Sequence, residues 1–591
     1  MSVKKVKEAT NLSSNDLLKQ QIKTLVEEAL EKSFDKSIVE DVFRNIRIEY
    51  PQEFSHGDYA SNIALQLTKI LGIQPREIAE KIISNLAENE IIEKVEIAGP
   101  GFINFFVSKN RLSAEIDQIL KEKEKYGQMD VGEGKPIVVE YSAPNIAKPL
   151  GVHHLLSTII GQSLYNLYKE CGFKAIAINH IGDWGTQFGK LIYAYKKWGD
   201  KEIVSKDPIN ELLKLYVKFH NECETNPELD NEGREEFRKF EKGDKENREL
   251  WKWFVDESMK EINATYEKIG GIHFDYVQGE SFYEDKMDEL LKEGKELGIF
   301  EEGEEGAYVV HYDDPNVSPF VVQKKDGATL YSTRDFAALQ YRIKTFKASK
   351  ILYVVDIAQT LHFKQLFTAA SRFPWYSDEG HHVWFGRMHM KDKKMSTRKG
   401  NVILLDDVLD EAISRALEIV KEKSDKLENK ENVAKILGIG AVKYNLLSQN
   451  RTTDITFDWD RMLSLEGNSA PYLQYSYARA KSILRNKDTG TSDSVSIEET
   501  PEMEEKVSEL ARLLPKYKEQ ILFATQECKP NILANYLYEL AQRFNSFYNS
   551  VPVLRAHRQE DKAYRLKLVE AASQVIKNGL SKLCVEVVEE M

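Results

Sequence analysis

Cysteine is scarce in this chain of 591 residues: Cys171, Cys223, Cys528 and Cys584 lie far apart and none forms a C-x-x-C pair. That spacing argues against a structural zinc site and against a disulfide framework, so reduced thiols and a cytoplasmic setting are expected. No apolar run approaches the roughly 20 residues needed to span a bilayer, and no membrane association is expected. The opening MSVKKVKEATNLSSNDLL has basic residues with no apolar stretch after them, so it does not read as a secretory signal. Also missing are a GxGxxG after a strand, a GxxxxGK[ST], an HExxH and a GxSxG. Dinucleotide, P-loop, zinc-protease and α/β-hydrolase chemistries therefore lack their usual cradles. No repeat with a period of about 20–50 residues occurs, which excludes a solenoid or a propeller. Basic charge is in mild deficit: Lys plus Arg number 82 against 95 Asp plus Glu, a net charge of −13. Taken alone, that balance speaks against a surface coated for nucleic acid.

What is present is a long globular chain, 42% hydrophobic and 30% charged, with room for several cores. Residues 1–115 alternate helical patterns (LLKQQIKTLVEEAL, IAEKIISNL) with a strand-like VEIAGPGFINFFVS, the texture of an α+β domain. A charged helical connector fills 116–130. Then PIVVEY (136–141), an apolar helical stretch and KAIAINHI (174–181) make a βαβ unit, which implies a parallel sheet. Further strands are expected at KILYVVD (350–356) and HHVWFGRM (381–388), with charged helices inserted at about 195–320. From about 430 the pattern is helical to the end, broken by a polar stretch at 486–505, and predicts a helical bundle.

Chemistry concentrates at the strand ends, where an open α/β sheet takes its ligands. After PIVVEY comes SAPNIAKPLGVHHLLST, which sets His153 and His154 at the start of a helix. There the helix dipole and free N–H groups favour an anion, and imidazole donors suit phosphates; two adjacent histidines are also a common accident. A second element, KDKKMSTRKGN (391–401), crowds Lys391, Lys393, Lys394, Arg398 and Lys399 around a Ser-Thr pair. Such a loop can clamp a leaving polyphosphate, and it can equally be a solvated basic turn.

The two elements, in this order on this sheet, resemble the HIGH and KMSKS signatures of the class I aminoacyl-tRNA synthetases. Within that class EYSAPNIAKPL, INHIGDWGTQFGKL, YSTRDFAAL, APYLQYSYARAKSIL and YLYELAQRFNSFY resemble arginyl-tRNA synthetase, as do HGDYASNIALQLTK and AGPGFINFF. The resemblance implies an α/β multidomain protein. Its parts would be an N-terminal α+β domain at 1–115 touching the tRNA corner, a Rossmann-like catalytic domain at 116–450, and an all-helical anticodon-binding domain at 451–591. It implies a ligase that joins L-arginine to tRNA(Arg) through arginyl-adenylate, releasing AMP and pyrophosphate. ATP with Mg2+ is the implied cofactor, without zinc, and a monomer is expected.

The site residues that the resemblance implies are these. Catalytic roles fall to His153, His154, Lys394, Ser396 and Lys399, and ATP binding to Lys148, His153, His154, Lys394 and Met395. The arginine pocket takes Glu140, Ser142, Asn145, Tyr331, Asp335 and Gln359. Two carboxylates facing a planar guanidinium would prefer arginine to lysine, whose point charge cannot satisfy both. The RNA face takes Tyr475, Tyr477 and Arg479, since stacking platforms with phosphate contacts read single-stranded loops. In GDWGTQFG, Asp183 and Gln187 could wall the site, and the rest reads as a structural turn around a buried Trp184.

Two departures from the family pattern stand out. The first signature reads Gly151-Val152-His153-His154, with Gly151 where the family has its leading His and only His154 matching. In the second, Thr397 stands where a Lys is common. Two rival readings follow: a synthetase for another amino acid, against which the paired Glu140 and Asp335 argue, and a non-catalytic RNA-binding paralogue.

Overall fold

A computed structural model describes residues 17–35, 46–303, 306–312, 317–391, 404–423, 427–487 and 499–591. The N-terminal part is an antiparallel sheet of β1 (Ile48–Glu49), β2 (Tyr59–Ser61), β3 (Ile92–Ala98) and β4 (Phe102–Val107), ordered β1-β2-β4-β3. Helices Ile63–Leu71 and Pro75–Ser84 cover it, and Ile78, Ala79 and Ile82 enter its own core with Ile103 and Phe105.

The central sheet is parallel. It joins β5 (Pro136–Glu140), β6 (Lys174–Asn179) and β7 (Tyr276–Val277). A small antiparallel sheet follows, made of β8 (Glu301–Glu302), β9 (Tyr308–Val310) and β10 (Phe320–Gln323), before β11 (Lys350–Tyr353) and β12 (Gly380–His382) return to the main sheet. The order is β12-β11-β5-β6-β7. β5 is apolar on both faces because both are covered: Ile137 and Val139 enter one core and Val138 the other. At roughly 1.5–3 kcal/mol per buried aliphatic side chain, this strand is a main anchor of the domain.

Several expectations need correction. The span read as an insertion holds β7, so the sheet resumes at Tyr276, well before residue 320. The expected strand at 381–388 is split: β12 ends at His382, and β13 (Met388–Met390) pairs in parallel with β14 (Ile455–Phe457), a strand inside the region read as wholly helical. Strands of two or three residues leave no usable period-2 pattern, which is why the sequence hides them. The inserted helices Thr186–Trp198, Pro208–Thr225, Glu228–Glu241 and Lys245–Ile269 pack on the sheet domain.

The C-terminal helices Ala470–Arg485, Lys516–Gln526, Pro530–Ser550 and Gln559–Lys582 form the bundle. Their apolar faces do not close on themselves. Leu473, Leu537 and Leu568 belong to the same continuous core as Leu155 and Ile159 of the helix after β5. The parallel sheet and the bundle are thus one packed body, joined by shared hydrophobic burial.

Candidate active site and nucleic-acid face

Strand order reverses between β5 and β11, so the crevice beyond their C-terminal ends is the expected ligand position. Glu140 and Tyr353 sit side by side there as register partners. The turn after β5 is strained, with Ser142, Ala143 and Ala147 all at positive φ (74°, 47° and 59°). Residues other than glycine hold that conformation only when the surroundings over-determine it. Here Ser157 Oγ accepts from Ser142 N (2.9 Å), Asn179 Oδ1 from Ala143 N (3.2 Å) and Ser258 Oγ from Ala147 N (3.1 Å). Three separate elements fix the turn. Ser142, expected in the arginine pocket, is buried, and its hydroxyl is taken up by Thr158 (2.8 Å) and Tyr266 (2.6 Å). Asn145 is exposed beside Gly182, with which it forms a β-bridge.

The helix Val152–Glu170 opens with His153 exposed and His154 half-buried, ring centroids 4.0 Å apart. Gly151 N–H donates to His154 Nδ1 at 3.0 Å, so that nitrogen is bare and the ring's proton sits on Nε2. Burial, and then the neighbouring His153, draw His154 down to about 4. His154 is therefore a neutral imidazole with one N–H to offer. His153 is drawn down by partial burial against the opposing pull of Asp356. Lys148 is exposed, its Nζ 5.7 Å from the Tyr216 ring centroid.

Residues 392–403 lie outside the described residues, and with them Lys394, Met395, Ser396 and Lys399 of the second signature. The flanks of that segment are placed. Leu405 N–H donates to Leu150 O (2.8 Å) and Gly151 forms a bridge with Leu404, so the residues that follow the segment pack directly on the first signature. At its other end Lys391 N–H donates to Phe457 O (3.0 Å) and Lys391 Nζ meets Asp458 Oδ2 (2.6 Å).

The helix Tyr331–Phe346 brings Tyr331, Asp335 and Arg342 toward the crevice, a spacing of four and seven residues that keeps them on one face. Glu140, expected to read the substrate, is instead buried against Arg342 at 2.5 Å. Its carboxylate closes the chain's own ion pair. Asp335 differs, keeping 26% of its side-chain surface open. His362 Nε2 meets its Oδ2 at 2.7 Å, and His180 Nε2 stands 3.8 Å from Oδ1. Burial opposes ionisation of Asp335, but the His362 hydrogen bond, with His180 and Arg342 nearby, outweighs it and holds the carboxyl below its usual range. Tyr331 is 59% exposed, with its ring centroid 5.1 Å from that of His362. Gln359 is exposed at the end of the turn Ile357–Gln359.

Sequence reasoning missed Arg342, His180, His362 and Glu280. Glu280 lies within electrostatic reach of Asp335 and His180, and Arg334 Nε meets its carboxylate at 3.2 Å; burial raises it above the usual carboxylate range. Asp183 does not wall the crevice. It is buried and accepts from Ser281 N (2.9 Å) and Ser281 Oγ (2.5 Å), which pins the turn that carries Glu280. Gln187 donates to Trp184 O (2.7 Å) inside its own turn. Among the described residues, no cluster of three or more His, Cys, Asp or Glu is arranged to hold a metal ion.

On the bundle, a cleft of about 840 Å³ is bordered by Tyr475, Arg479, Arg485, Tyr548 and Arg555. The Arg479 guanidinium carbon lies 4.6 Å from the Tyr475 ring centroid and 4.5 Å from that of Tyr548, and Nη1 donates to Asn545 Oδ1 at 2.6 Å. Residues 475 and 479 share a helix face, while Tyr477 points the other way. It is 2% exposed and donates to Glu589 (2.9 Å). Tyr477 is thus a core residue and leaves the RNA face; a helical count from Tyr475 would have separated it.

The chain is similar to known proteins along nearly its whole length. Residues 115–459 match the family described as tRNA synthetases class I (R), catalytic domain; residues 473–591 match the DALR anticodon binding domain, and residues 20–107 the arginyl tRNA synthetase N terminal domain. An arginine–tRNA ligase of Clostridium botulinum (strain Loch Maree / Type A3) is 45% identical over 573 residues, 96% of this chain and 100% of the relative. One from Clostridium perfringens (strain 13 / Type A) is 46% identical over 550 residues, 92% of this chain and 96% of the relative. Among solved structures, arginyl-tRNA synthetase from Plasmodium falciparum superposes with a TM-score of 0.80 at 25% identity, covering 99% of this chain and 100% of that one. The Thermus thermophilus enzyme gives 0.78 at 23% identity, covering 97% and 100%.

Proposed function

Because this chain belongs to the arginyl-tRNA synthetase family, it attaches arginine to tRNA with ATP, and we propose the following division of that reaction among its residues. Asp335 reads the guanidinium of arginine, while the nearby Glu280 carboxylate is already paired with Arg334. Tyr331, Asn145 and Gln359 border the substrate. The observation that carries this reading is an ionised, partly open Asp335 at the point where the strand order reverses. A planar, always-charged guanidinium presents several N–H donors to that carboxylate in a fixed plane, and neutral citrulline would leave the carboxylate without a cation.

The first signature supplies two neutral imidazoles at a helix N-terminus. His154 offers its single Nε2–H to the ATP phosphates, and His153 stands in place of the imidazole missing at Gly151. Lys394, Ser396 and Lys399, in the segment that precedes Leu404 and Leu405, draw charge off the departing pyrophosphate, while Met395 and Lys148 border the nucleotide. Magnesium travels with the ATP phosphates and neutralises their charge; the chain supplies position and hydrogen bonds. No covalent enzyme intermediate is needed. The cleft at Tyr475, Arg479 and Tyr548 takes a single-stranded tRNA loop, and the N-terminal domain meets the tRNA corner. A monomer working in a reducing, cytoplasmic compartment completes the reading, in keeping with four free cysteines.

Pyrophosphate exchange with each amino acid in turn, with and without tRNA, tests this. Exchange is expected with arginine alone among the amino acids. Exchange driven by another amino acid would sink the arginine pocket, and none under any condition would mark a non-catalytic RNA-binding protein.

A further inference from the structure

A carboxylate that reads a guanidinium must be ionised and aimed before the substrate arrives, and Asp335 sits where burial alone would favour the neutral acid. Two imidazoles flank it unequally. His180 stands 3.8 Å from Oδ1, beyond hydrogen-bond range, and its Nδ1 faces Gln278 O at 3.0 Å. His362 meets Oδ2 at 2.7 Å. An ionised carboxylate can only accept, so the proton in that short contact belongs to His362 Nε2. The His362 ring is held in turn: it is 9% exposed, and ring centroids of Phe320, Tyr331 and Phe363 lie 5.6, 5.1 and 5.3 Å away.

We propose that His362 is the positioning residue of the arginine pocket: by donating to Oδ2 from a ring wedged among aromatics, it fixes the plane of the Asp335 carboxylate and leaves Oδ1 to meet the guanidinium. His362 itself touches no substrate in this arrangement and acts through Asp335. The proposal rests on the reading of Asp335 as the guanidinium acceptor. It also gives the exposed Tyr331 a second part, since its ring packs on His362 at the mouth of the pocket.

Four variants of the full-length enzyme test it: His362→Phe, His362→Gln, Asp335→Asn and the double variant His362→Phe with Asp335→Asn. Each is assayed in aminoacylation for the KM of arginine, of ATP and of tRNA, and for kcat. Loss of a hydrogen bond to a charged acceptor should raise the arginine KM of His362→Phe about 10- to 100-fold. Its ATP and tRNA KM should stay within about twofold, which also reports a sound fold. His362→Gln, which keeps a donor, should recover most of the loss. In the Asp335→Asn background His362→Phe should add nothing further, because its route is already cut. An unchanged arginine KM in His362→Phe beside a raised one in Asp335→Asn would overturn the proposal. So would an equal loss from His362→Phe in both backgrounds, or no recovery with Gln. An unchanged arginine KM in Asp335→Asn would instead overturn the pocket reading beneath it. Should His362→Phe not fold, His362→Met carries the same comparison with a more adaptable side chain.

Discussion

The strand-end crevice and the seam between the N-terminal part and the helices Pro501–Leu513 and Lys516–Gln526 both bury carboxylates, and they treat them differently. At the seam Arg512 Nε meets Asp58 Oδ1 at 2.6 Å, and Lys518 Nζ meets Glu115 Oε1 at 2.9 Å. Glu519 accepts from Lys19 N (2.8 Å) and Tyr59 OH (3.0 Å), and also from Tyr50 OH. Each of these acids is closed by groups of its own chain. Burial works against ionisation of Glu115, yet Lys518 and Arg111 together lower it below the usual range. In the crevice, Asp335 has one oxygen tied and the other facing a gap, with a quarter of its side chain open. A buried acid with a complete set of partners holds domains together; one left incomplete is a place for a ligand. By that criterion Glu140 belongs with the seam, although it stands at the crevice: Arg342 closes it at 2.5 Å.

The sharpest way to break this distinction is Arg342→Leu, which leaves Glu140 buried without its cation. A stability loss of about 3–5 kcal/mol is expected in urea unfolding, with only a modest rise in the arginine KM of the remaining folded enzyme, since Arg342 also adds to the field that keeps Asp335 ionised. A large rise in arginine KM without loss of stability would return Glu140 to the substrate. Second in size is an effect of acid on the first signature. His154 is held at about 4, below the ordinary imidazole value of about 6.5, so the unfolded chain takes up that proton before the folded one does. The stability it contributes is complete above about pH 6.5 and is lost as pH falls toward 4, about 2 kcal/mol between pH 7 and pH 5. Unfolding at the two pH values should show a smaller acid loss in His154→Gln than in the parent protein. The smallest effect is expected at the seam. Lys518→Met should cost about 1–2 kcal/mol, because Arg111 still meets Glu115 at 2.7 Å, and arginine and ATP kinetics should not move.

Much of the architecture was legible in the sequence. PIVVEY and KAIAINHI enclose an apolar helix, and that pattern alone requires a parallel βαβ unit. The two signatures were legible as well, and the structure brings their flanks into contact at Leu150–Leu405. Tyr331 and Asp335 were legible through their familiar pattern, whereas Arg342, seven residues further along the same helix, carried no signal until the structure placed it against Glu140. The short strands β7, β13 and β14 were not legible, since they are defined by their neighbours and not by their own residues. Tyr477 was misplaced because an aromatic at helical spacing reads the same whether it meets RNA or a carboxylate such as Glu589.

What the sequence determined by itself is local: periodicity, turn chemistry and the order of motifs, which together settle the parallel sheet, the helical bundle and the family. Its charge of −13 described a whole surface and said nothing of a cleft where one arginine lies between two tyrosines. Which carboxylates stay open was decided only by the tertiary structure. Glu140 and Asp335 look alike along the chain, and the difference between them is a matter of distance: a guanidinium 2.5 Å from one, a 3.8 Å gap beside the other. The field of a buried charge depends on what lies within a few ångströms, and those neighbours come from elements 27 to 202 residues away in the chain (His362 and Arg342).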